Sequence, residues 1–243
     1  MLMKGALNGS RTRVEHPAIP ITPAELAKEA AESVAAGAGA LHVHVRDSAG
    51  QESLASDDVA CTLEAIRAAC PGIPVGISTA AWIVPDLRQR LALCNEWEVL
   101  PDFVSVNVHE GGAFQLIKLL HDKGVGIEAG IWNAQAAEAL IRSGMTDACL
   151  RILIEPAEQS INPLGTFEQI EMRLSDVPCP RLLHGAGATA WTFVALAAQL
   201  QYDTRTGLED TLTFPDGSTA NNNAGLVAAG MKLIDATRTR VDR

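Results

Sequence analysis

Long apolar segments are absent from this sequence. No run approaches the roughly 20 apolar residues that are needed to cross a bilayer. Residues 1–9 also lack the long apolar region and the small-residue cleavage site of a secretory signal. Together these absences predict a soluble protein, and we expect it to be cytoplasmic.

Positive charge is scarce. The chain has 19 Lys and Arg residues against 29 Asp and Glu residues, which gives a formal net charge of −10 at pH 7. Binding to nucleic-acid phosphates requires a basic stripe on the protein, and no such stripe is visible in the sequence. We therefore expect no nucleic-acid partner, and any phosphate site must be local.

Cysteine pairs are also missing. The five cysteines are odd in number, and no two of them have Cys-x-x-Cys spacing. Neither a zinc knuckle nor a complete disulfide framework is indicated. We expect reduced packing residues at Cys61, Cys70, Cys94, Cys149 and Cys179.

The sequence does contain short β-rich apolar runs that alternate with helical patterns from end to end. An open doubly wound sheet would show the same alternation, but the number of strands favours a closed barrel. At 243 residues the chain has the usual size of one α/β barrel. We predict a (β/α)8 TIM barrel that forms a single domain over residues 1–243, with strands at Lys4–Leu7, Ala40–Val45, Pro74–Ser78, Phe103–Val108, Val125–Ile131, Cys149–Ile154, Arg181–His184 and, more weakly, Tyr202–Thr206.

Two helix starts are recognisable. The segment 22–25, Thr-Pro-Ala-Glu, has the pattern of a capping box with proline at the first helical position. The segment 56–58, Ser-Asp-Asp, places anionic residues at the positive amino end of the next helix. In a barrel of this kind, chemistry occurs at the carboxyl ends of the strands and in the loops that follow them. Residues in those places are the candidates for function.

The strongest local pattern is the segment 41–47, Leu-His-Val-His-Val-Arg-Asp. Strand periodicity of two puts His42 and His44 on one face and their apolar neighbours on the other. Two neutral histidines spaced in this way can bind one metal ion, and a catalytic site then needs a third protein ligand and an open position. Two partly buried, hydrogen-bonded histidines are the alternative interpretation. Glu209 is a candidate third ligand, although paired acids in a loop are more often solvated.

Motifs along the chain match one family in the expected order. They are His42-x-His44-x-Arg46, Gly76-Ile77-Ser78-Thr79 and Arg205-x-Gly207-x-Glu209-Asp210, with weaker matches at Pro20–Pro23, Ser105–Asn107 and Asn223-Ala224. Over almost its whole length the chain resembles the β-keto acid cleavage enzymes. The resemblance implies a barrel in which His42, His44 and Glu209 hold zinc.

The resemblance also implies a reaction, the exchange of acyl groups between a β-keto acid and acetyl-coenzyme A. Zinc would act as a Lewis acid on the keto and carboxylate oxygens of the substrate. Asp210 would remove the α-proton, so that the carbanion attacks the acetyl thioester. Migration of CoA and a retro-Claisen step would release acetoacetate and a new acyl-CoA. Arg205 is implied to pair with substrate oxygens or to orient Asp210, and Ser78 is implied to contact substrate.

Further candidates lie at other strand ends. The loop at Gly185, Ala186 and Gly187 is a candidate for binding CoA phosphates, because barrels often bind phosphate after the last two strands. An ordinary strand-to-helix turn is the alternative. Residues expected to contact substrate are Arg11, Ser105, His109 and Glu128. The roles of Glu155, Arg13 and His16 are open, with a surface position favoured for His16.

The first loop departs from a described family member, which has a glutamate there for a substrate amino group. Here Ser10 or Arg11 occupies that position, and Arg13 follows. A carboxylate favours an ammonium group, whereas a guanidinium favours a carboxylate and repels cations. We therefore expect the same reaction on a neutral or distally anionic β-keto acid.

Other functions fit parts of the pattern. Amidohydrolase barrels also use His-x-His, but on the first strand, whereas this pair lies on the second. A metal-dependent retro-aldolase would use the same enolate chemistry without acetyl-CoA. A ligand-binding barrel without catalysis is a further alternative. The family resemblance also suggests a homo-oligomer.

Overall fold

The computed structural model describes residues 1–156 and 161–241, and within them eight strands form one sheet. The strands are β1 Met3–Ala6, β2 Ala40–Val43, β3 Val75–Ser78, β4 Phe103–Asn107, β5 Gly126–Ile131, β6 Cys149–Ile154, β7 Arg181–Leu183 and β8 Asp203–Thr206. All neighbouring strands are parallel, and β8 pairs with β1, which closes the barrel. The predicted (β/α)8 TIM barrel is confirmed.

Helices alternate with these strands along the chain. They are α1 Pro23–Ala35, α2 Ser56–Ala69, α3 Leu87–Asn95, α4 Ala113–Asp122, α5 Ala134–Ser143, α6 Pro163–Leu174, α7 Ala190–Leu200 and α8 Asn223–Val241. Short 3-10 turns at Thr146–Ala148 and Gly187–Thr189 precede β6 and α7. The order β1-α1 to β8-α8 is that of the predicted fold.

The largest difference from the predicted strands is at β2. This strand was expected to reach Val45, but it ends at Val43, so His44 lies just beyond it. The side chain of Asn8 takes over the pairing there, since its Oδ1 accepts the backbone N–H of His44 at 2.8 Å and its Nδ2 donates to the carbonyl of His44 at 2.8 Å. The backbone of His44 is therefore fixed without being part of the strand.

Both predicted helix starts are confirmed. Thr22 accepts the N–H of Glu25, and the carboxylate of Glu25 accepts the N–H of Thr22, with Pro23 at the first helical position of α1. The two hydrogen bonds satisfy groups that helix formation leaves without a partner. Helix α2 begins at Ser56 with two aspartates in its first turn. These ends fix where α1 and α2 begin.

The apolar core lies mainly between the barrel and its helices. Leu41 and Val43 of β2 are fully buried in one cluster with Leu63 and Ile66 of α2 and Leu26 of α1. Because side chains alternate along a strand, the residue between the two, His42, must face the barrel interior. Packing on the outside of β2 thus orients the functional side chains on its inside.

The cysteines are free thiols in the described residues. Cys70 and Cys94 are buried, as expected of packing residues, and burial raises the pKa of the Cys94 thiol to about 12. Cys61 is exposed, so the expectation of a packing role is wrong for this residue. Within the described part of the chain, no helix combines the length and the apolar character that a membrane span requires.

Candidate active site

A cavity of about 300 Å³ opens at the carboxyl ends of the strands. Most of the side chains that the sequence singled out line it, although they come from different strands and loops. The residues that were predicted to have a site role and that line this cavity are Arg11, His42, His44, Ser78, Ser105, Ala186, Arg205, Glu209 and Asp210. Barrel closure brings these residues to one place.

Two histidines face one carboxylate at the base of this cavity. Nε2 of His42 lies 3.6 Å from Oε2 of Glu209, and Nε2 of His44 lies 3.7 Å from its Oε1. One ligand atom from each of the three residues lies within 4.8 Å of the others. Two imidazoles and one carboxylate form the donor set of catalytic zinc sites that keep an open position. The three residues therefore fit a metal ion of this kind.

The pKa values of these three residues are strongly shifted from their usual values. Burial holds the pKa of His42 well below its usual value, so His42 is neutral, as a metal ligand must be. Burial disfavours ionisation of Glu209, but Arg205 and the two histidines outweigh this effect and hold its pKa well below the usual range. Burial also disfavours charge on His44, yet Glu209 and Glu52 raise the pKa of His44 to about 9. A metal ion that binds here must therefore displace a proton from His44.

Arg205 separates the roles of the two adjacent acids. This residue lies on β8 with 4% of its surface exposed, and its NH2 group donates to Oε1 of Glu209 and to Oδ1 of Asp210, each at 2.8 Å. Oδ2 of Asp210 is buried without a hydrogen-bond partner among the described residues. Glu209 thus faces the histidines, while Asp210 keeps one oxygen uncommitted.

His184 and Glu155 hold Arg205 from behind. Nε of Arg205 donates to Nδ1 of His184 at 3.2 Å, and Nε2 of His184 lies 3.2 Å from a carboxylate oxygen of Glu155. Because Nδ1 accepts a hydrogen bond, the proton of this imidazole lies on Nε2, toward Glu155. The sequence left Glu155 open and gave His184 no chemical role. The position of Glu155 directly after β6 was the signal that could have favoured it.

The fold and the site agree with the comparison of whole sequences. The sequence profile of the β-keto acid cleavage enzymes matches residues 1–242. This chain belongs to that family. The match confirms the resemblance that the motifs indicated.

Among curated relatives, the chain is similar to the 3-keto-5-aminohexanoate cleavage enzyme of Fusobacterium nucleatum, with 24% identity over 96% of this chain and 90% of that protein. Among solved structures, it is similar to ObcA in the apo form, with a TM-score of 0.68 and 17% identity. It is also similar to the binary complex of ObcA with oxaloacetate, with a TM-score of 0.71 and 16% identity. These two alignments cover 89% and 93% of this chain but only 61% and 67% of the ObcA chains.

In this family member the first loop, which joins β1 to α1, folds over His42, His44 and Glu209. We call these three residues the metal-ligand group. Arg46 donates to the carbonyl oxygens of Gly9 and Arg11, which ties the loop to the segment after β2. Arg11 in turn donates from Nε to the backbone carbonyl of Glu209 at 3.0 Å and from NH1 to Glu15 at 2.9 Å. Glu15 also lines the cavity. The first loop therefore presents an ion pair where the sequence suggested an arginine alone.

Two other charged or titratable residues of this loop lie away from the cavity lining. Arg13 is exposed and pairs with Glu25 of α1. His16 is 6% exposed, and its Nε2 lies 2.8 Å from the carbonyl oxygen of Ala220. The expected surface position of His16 is therefore wrong, because the residue packs against the segment before α8.

Ser78, the last residue of β3, and Ser105, in the middle of β4, both line the cavity. The hydroxyl of Ser78 accepts the N–H of Ala80 at 3.4 Å, so it also caps its strand end. Ser78 is therefore both a strand-end cap and a residue of the cavity lining. Asn107 also lines the cavity, and its Nδ2 donates to Glu110 at 2.9 Å.

Some predicted site residues do not line the cavity. His109 instead contacts Trp132, with ring centroids 4.6 Å apart, and it is Trp132 that lines the cavity. Gly185 and Gly187 are also outside the lining, and the N–H of Gly187 donates to the carbonyl of Asp210 at 2.7 Å. That amide is therefore not available to a phosphate in this conformation.

Glu128 lies in the middle of β5 and is fully buried, away from the cavity lining. It forms an ion pair with Lys4, which is also fully buried, and it lies 3.4 Å from Nε of Arg151. Burial lowers the pKa of Lys4. Glu128 therefore balances charge inside the barrel, and its position does not support the expected contact with substrate.

We predict that Glu128→Gln will destabilise the protein by about 3–5 kcal/mol, because the Lys4 ammonium would lose its buried counter-charge. The free energy of unfolding in denaturant measures this loss. The double variant Lys4→Met, Glu128→Leu should recover much of the stability, since it removes both charges. A Glu128→Gln protein of normal stability with a raised KM would place Glu128 in the substrate site after all.

Proposed function

We propose that this chain is a zinc-dependent acyltransferase that exchanges acyl groups between a β-keto acid and acetyl-CoA. The products are acetoacetate and a new acyl-CoA. The observation that carries the proposal is the three-residue metal-ligand group, His42, His44 and Glu209, directly beside the carboxylate of Asp210 in one cavity. Family membership and a curated relative that is a 3-keto-5-aminohexanoate cleavage enzyme support it.

His42, His44 and Glu209 would hold the zinc ion in the cavity. When bound, zinc supplies a Lewis acid for negative charge on the keto and carboxylate oxygens of the substrate. Three protein ligands leave coordination positions open to those oxygens. Ser78 and Ser105, which lie on the neighbouring strands β3 and β4 and line the cavity, offer hydroxyl groups for orienting the substrate.

Asp210 acts as the base. It is 1% exposed, and one of its oxygens has no hydrogen-bond partner among the described residues, so this oxygen is available to accept the α-proton. Arg205 holds the other oxygen and thereby orients the carboxylate. Loss of the α-proton yields a carbanion, which attacks the thioester carbonyl of acetyl-CoA. The acetyl carbonyl re-forms as its bond to the CoA sulfur breaks, and the CoA thiolate then adds to the original keto carbon. Cleavage of the bond between that carbon and the α-carbon releases the new acyl-CoA and the acetoacetate carbanion, which regains the proton from Asp210.

Acetyl-CoA would enter near β7 and α7. In the loop at Gly185, Ala186 and Gly187, it is Ala186 that lines the cavity. Small residues there allow close approach of the pantetheine arm or a phosphate.

Two further proposals follow from the sequence: residues 1–243 form one domain, and the protein is a homo-oligomer. The cytoplasmic location stays a prediction.

A panel of β-keto acids tests the activity directly. Zinc-loaded protein is incubated with each acid and with acetyl-CoA, and the acyl-CoA products are identified by mass. We expect a new acyl-CoA and acetoacetate that form only when acetyl-CoA is added. Cleavage without acetyl-CoA would instead support a retro-aldolase, and tight binding without turnover would support a ligand-binding barrel.

Separate roles for Glu209 and Asp210 predict different losses in their variants. Asp210→Asn should keep zinc and the fold while turnover falls by roughly 10²–10⁴-fold, because only the base is lost. Glu209→Gln and His42→Ala should lose zinc, as measured by elemental analysis. The exchange of solvent deuterium into the substrate α-carbon is then measured in Asp210→Asn. Exchange at the wild-type rate in this variant would exclude Asp210 as the base.

The first loop predicts the charge of the preferred substrate. Glu15 lines the cavity, but Arg11 pairs with it, so the loop offers no free carboxylate to an amino group. We expect a neutral or distally anionic β-keto acid to have a higher kcat/KM than 3-keto-5-aminohexanoate. Arg11→Glu should depress turnover of an anionic substrate much more than that of a neutral analogue of similar length.

Glu15→Gln is the matched control, since it frees Arg11 and should favour the anionic substrate further. Equal losses for all substrates in Arg11→Glu would assign Arg11 to folding or to CoA binding. Preference for 3-keto-5-aminohexanoate over the rest of the panel would contradict the hypothesis.

A further inference from the structure

Glu52 lies between one histidine of the metal-ligand group and a tryptophan of the cavity wall. Its position is set by a short hairpin after β2, in which Arg46 and Glu52 form an antiparallel bridge and Ser53 donates its N–H to the carbonyl of Val45 at 3.0 Å. The side chain of Glu52 is 13% exposed. Because this carboxylate is largely shielded from water, both of its oxygens need hydrogen-bond partners.

One oxygen of Glu52 contacts the ring of His44. The carboxylate Oε1 is hydrogen-bonded to Nδ1 of His44, and the opposite ring nitrogen, Nε2, faces Glu209 at 3.7 Å. An ionised carboxylate can only accept, so Nδ1 carries the proton in this hydrogen bond. Because Nδ1 keeps its proton, Nε2 is the nitrogen that gives up a proton and offers its lone pair when a metal ion binds.

His42 provides a contrast within the same group. Its Nδ1 is buried and has no hydrogen-bond partner among the described residues. In the part of the chain that the structure describes, Glu52 is therefore the residue that fixes the tautomer and the ring orientation of a histidine in this group. The two histidines are held unequally, and His44 is the one that depends on a neighbouring carboxylate.

The second oxygen of Glu52 accepts a hydrogen bond from Trp82. Nε1 of Trp82 lies 3.2 Å from Oε2 of Glu52. The indole is stacked on the ring of His44, with centroids 6.4 Å apart and an interplanar angle of 19°, and it lines the cavity while remaining 48% exposed. A single carboxylate thus contacts both the metal-ligand group and the cavity wall.

We propose that Glu52 is a positioning residue that orients His44 as a metal ligand through Nε2 and, with its other oxygen, holds Trp82 against the same ring. This role rests on the metal site of the proposed function. Partners of this kind behind a histidine ligand change metal affinity by about 10–100-fold when they are removed. Their effect on affinity can be measured without any substrate.

The test measures the zinc dissociation constant by competition with a chelator in wild type and in variants. Glu52→Ala should bind zinc about 10–100-fold more weakly, with unchanged far-UV circular dichroism. Glu52→Gln should lose less, because its amide oxygen can still accept from Nδ1 of His44. Glu64→Ala, which removes an exposed acid of α2, is the matched control and should bind zinc as wild type does.

The variant Trp82→Phe distinguishes the effect of the Glu52 carboxylate on zinc affinity from that of the stacked aromatic ring. This variant keeps an aromatic ring beside His44 but removes the donor to Glu52, so zinc affinity should stay close to that of wild type. Zinc binding by Glu52→Ala that equals wild type would overturn the proposal. A loss in Trp82→Phe as large as that in Glu52→Ala would also overturn it, because the indole would then be needed to position His44 even with Glu52 in place.

The outcome is distinguishable from failure of the proposed function. If wild-type protein binds zinc but does not exchange acyl groups, the proposed reaction fails and the affinity comparison still decides the role of Glu52. If wild-type protein binds no zinc, the metal assignment fails, and the role proposed for Glu52 fails with it.

Discussion

The buried guanidinium of Arg205 is the interaction on which the site depends. Two neighbouring carboxylates, Glu209 and Asp210, lie in a largely buried cavity where unpaired negative charge is costly. One NH2 group donates to both of them and so supplies a shared positive charge. Without this cation, two neighbouring carboxylates would lie in the cavity without a counter-charge.

Arg205 is in turn fixed by neighbouring strands. His184, after β7, accepts from its Nε, and Glu155, after β6, lies against the other nitrogen of that imidazole. Three consecutive strands therefore contribute to one guanidinium. The arrangement relies on barrel closure, because β8, which precedes Glu209, is brought near β2, which carries His42, through the pairing of both strands with β1.

The first loop and the hairpin after β2 complete the site from the other side. Asn8 pairs with the backbone of His44 beyond the end of its strand, and Arg46 holds the loop by two carbonyl oxygens. Glu52 then contacts the side chain of His44. The backbone and the ring of His44 are thus held by different segments, which favours a rigid position for this side chain.

The sequence by itself determined the alternation of strands and helices, the start of α1, and the common face of His42 and His44, because periodicity and capping act between residues close in the chain. It also carried the ordered motifs that identify the family. Sequence periodicity does not give the depth of a side chain in the barrel. Glu128 was therefore expected to contact substrate, but it pairs with Lys4 inside the barrel, and it is Glu155 that lines the cavity. Only the tertiary structure decided that Arg11 is paired with Glu15, that Glu52 supports His44, and that His184 holds Arg205. The contacts of Glu52 with His44 and of His184 with Arg205 depend on barrel closure and on the path of the loops, which bring together segments that local sequence rules treat separately. The pair of Arg11 and Glu15 lies in a loop, and no periodicity specifies the course of a loop.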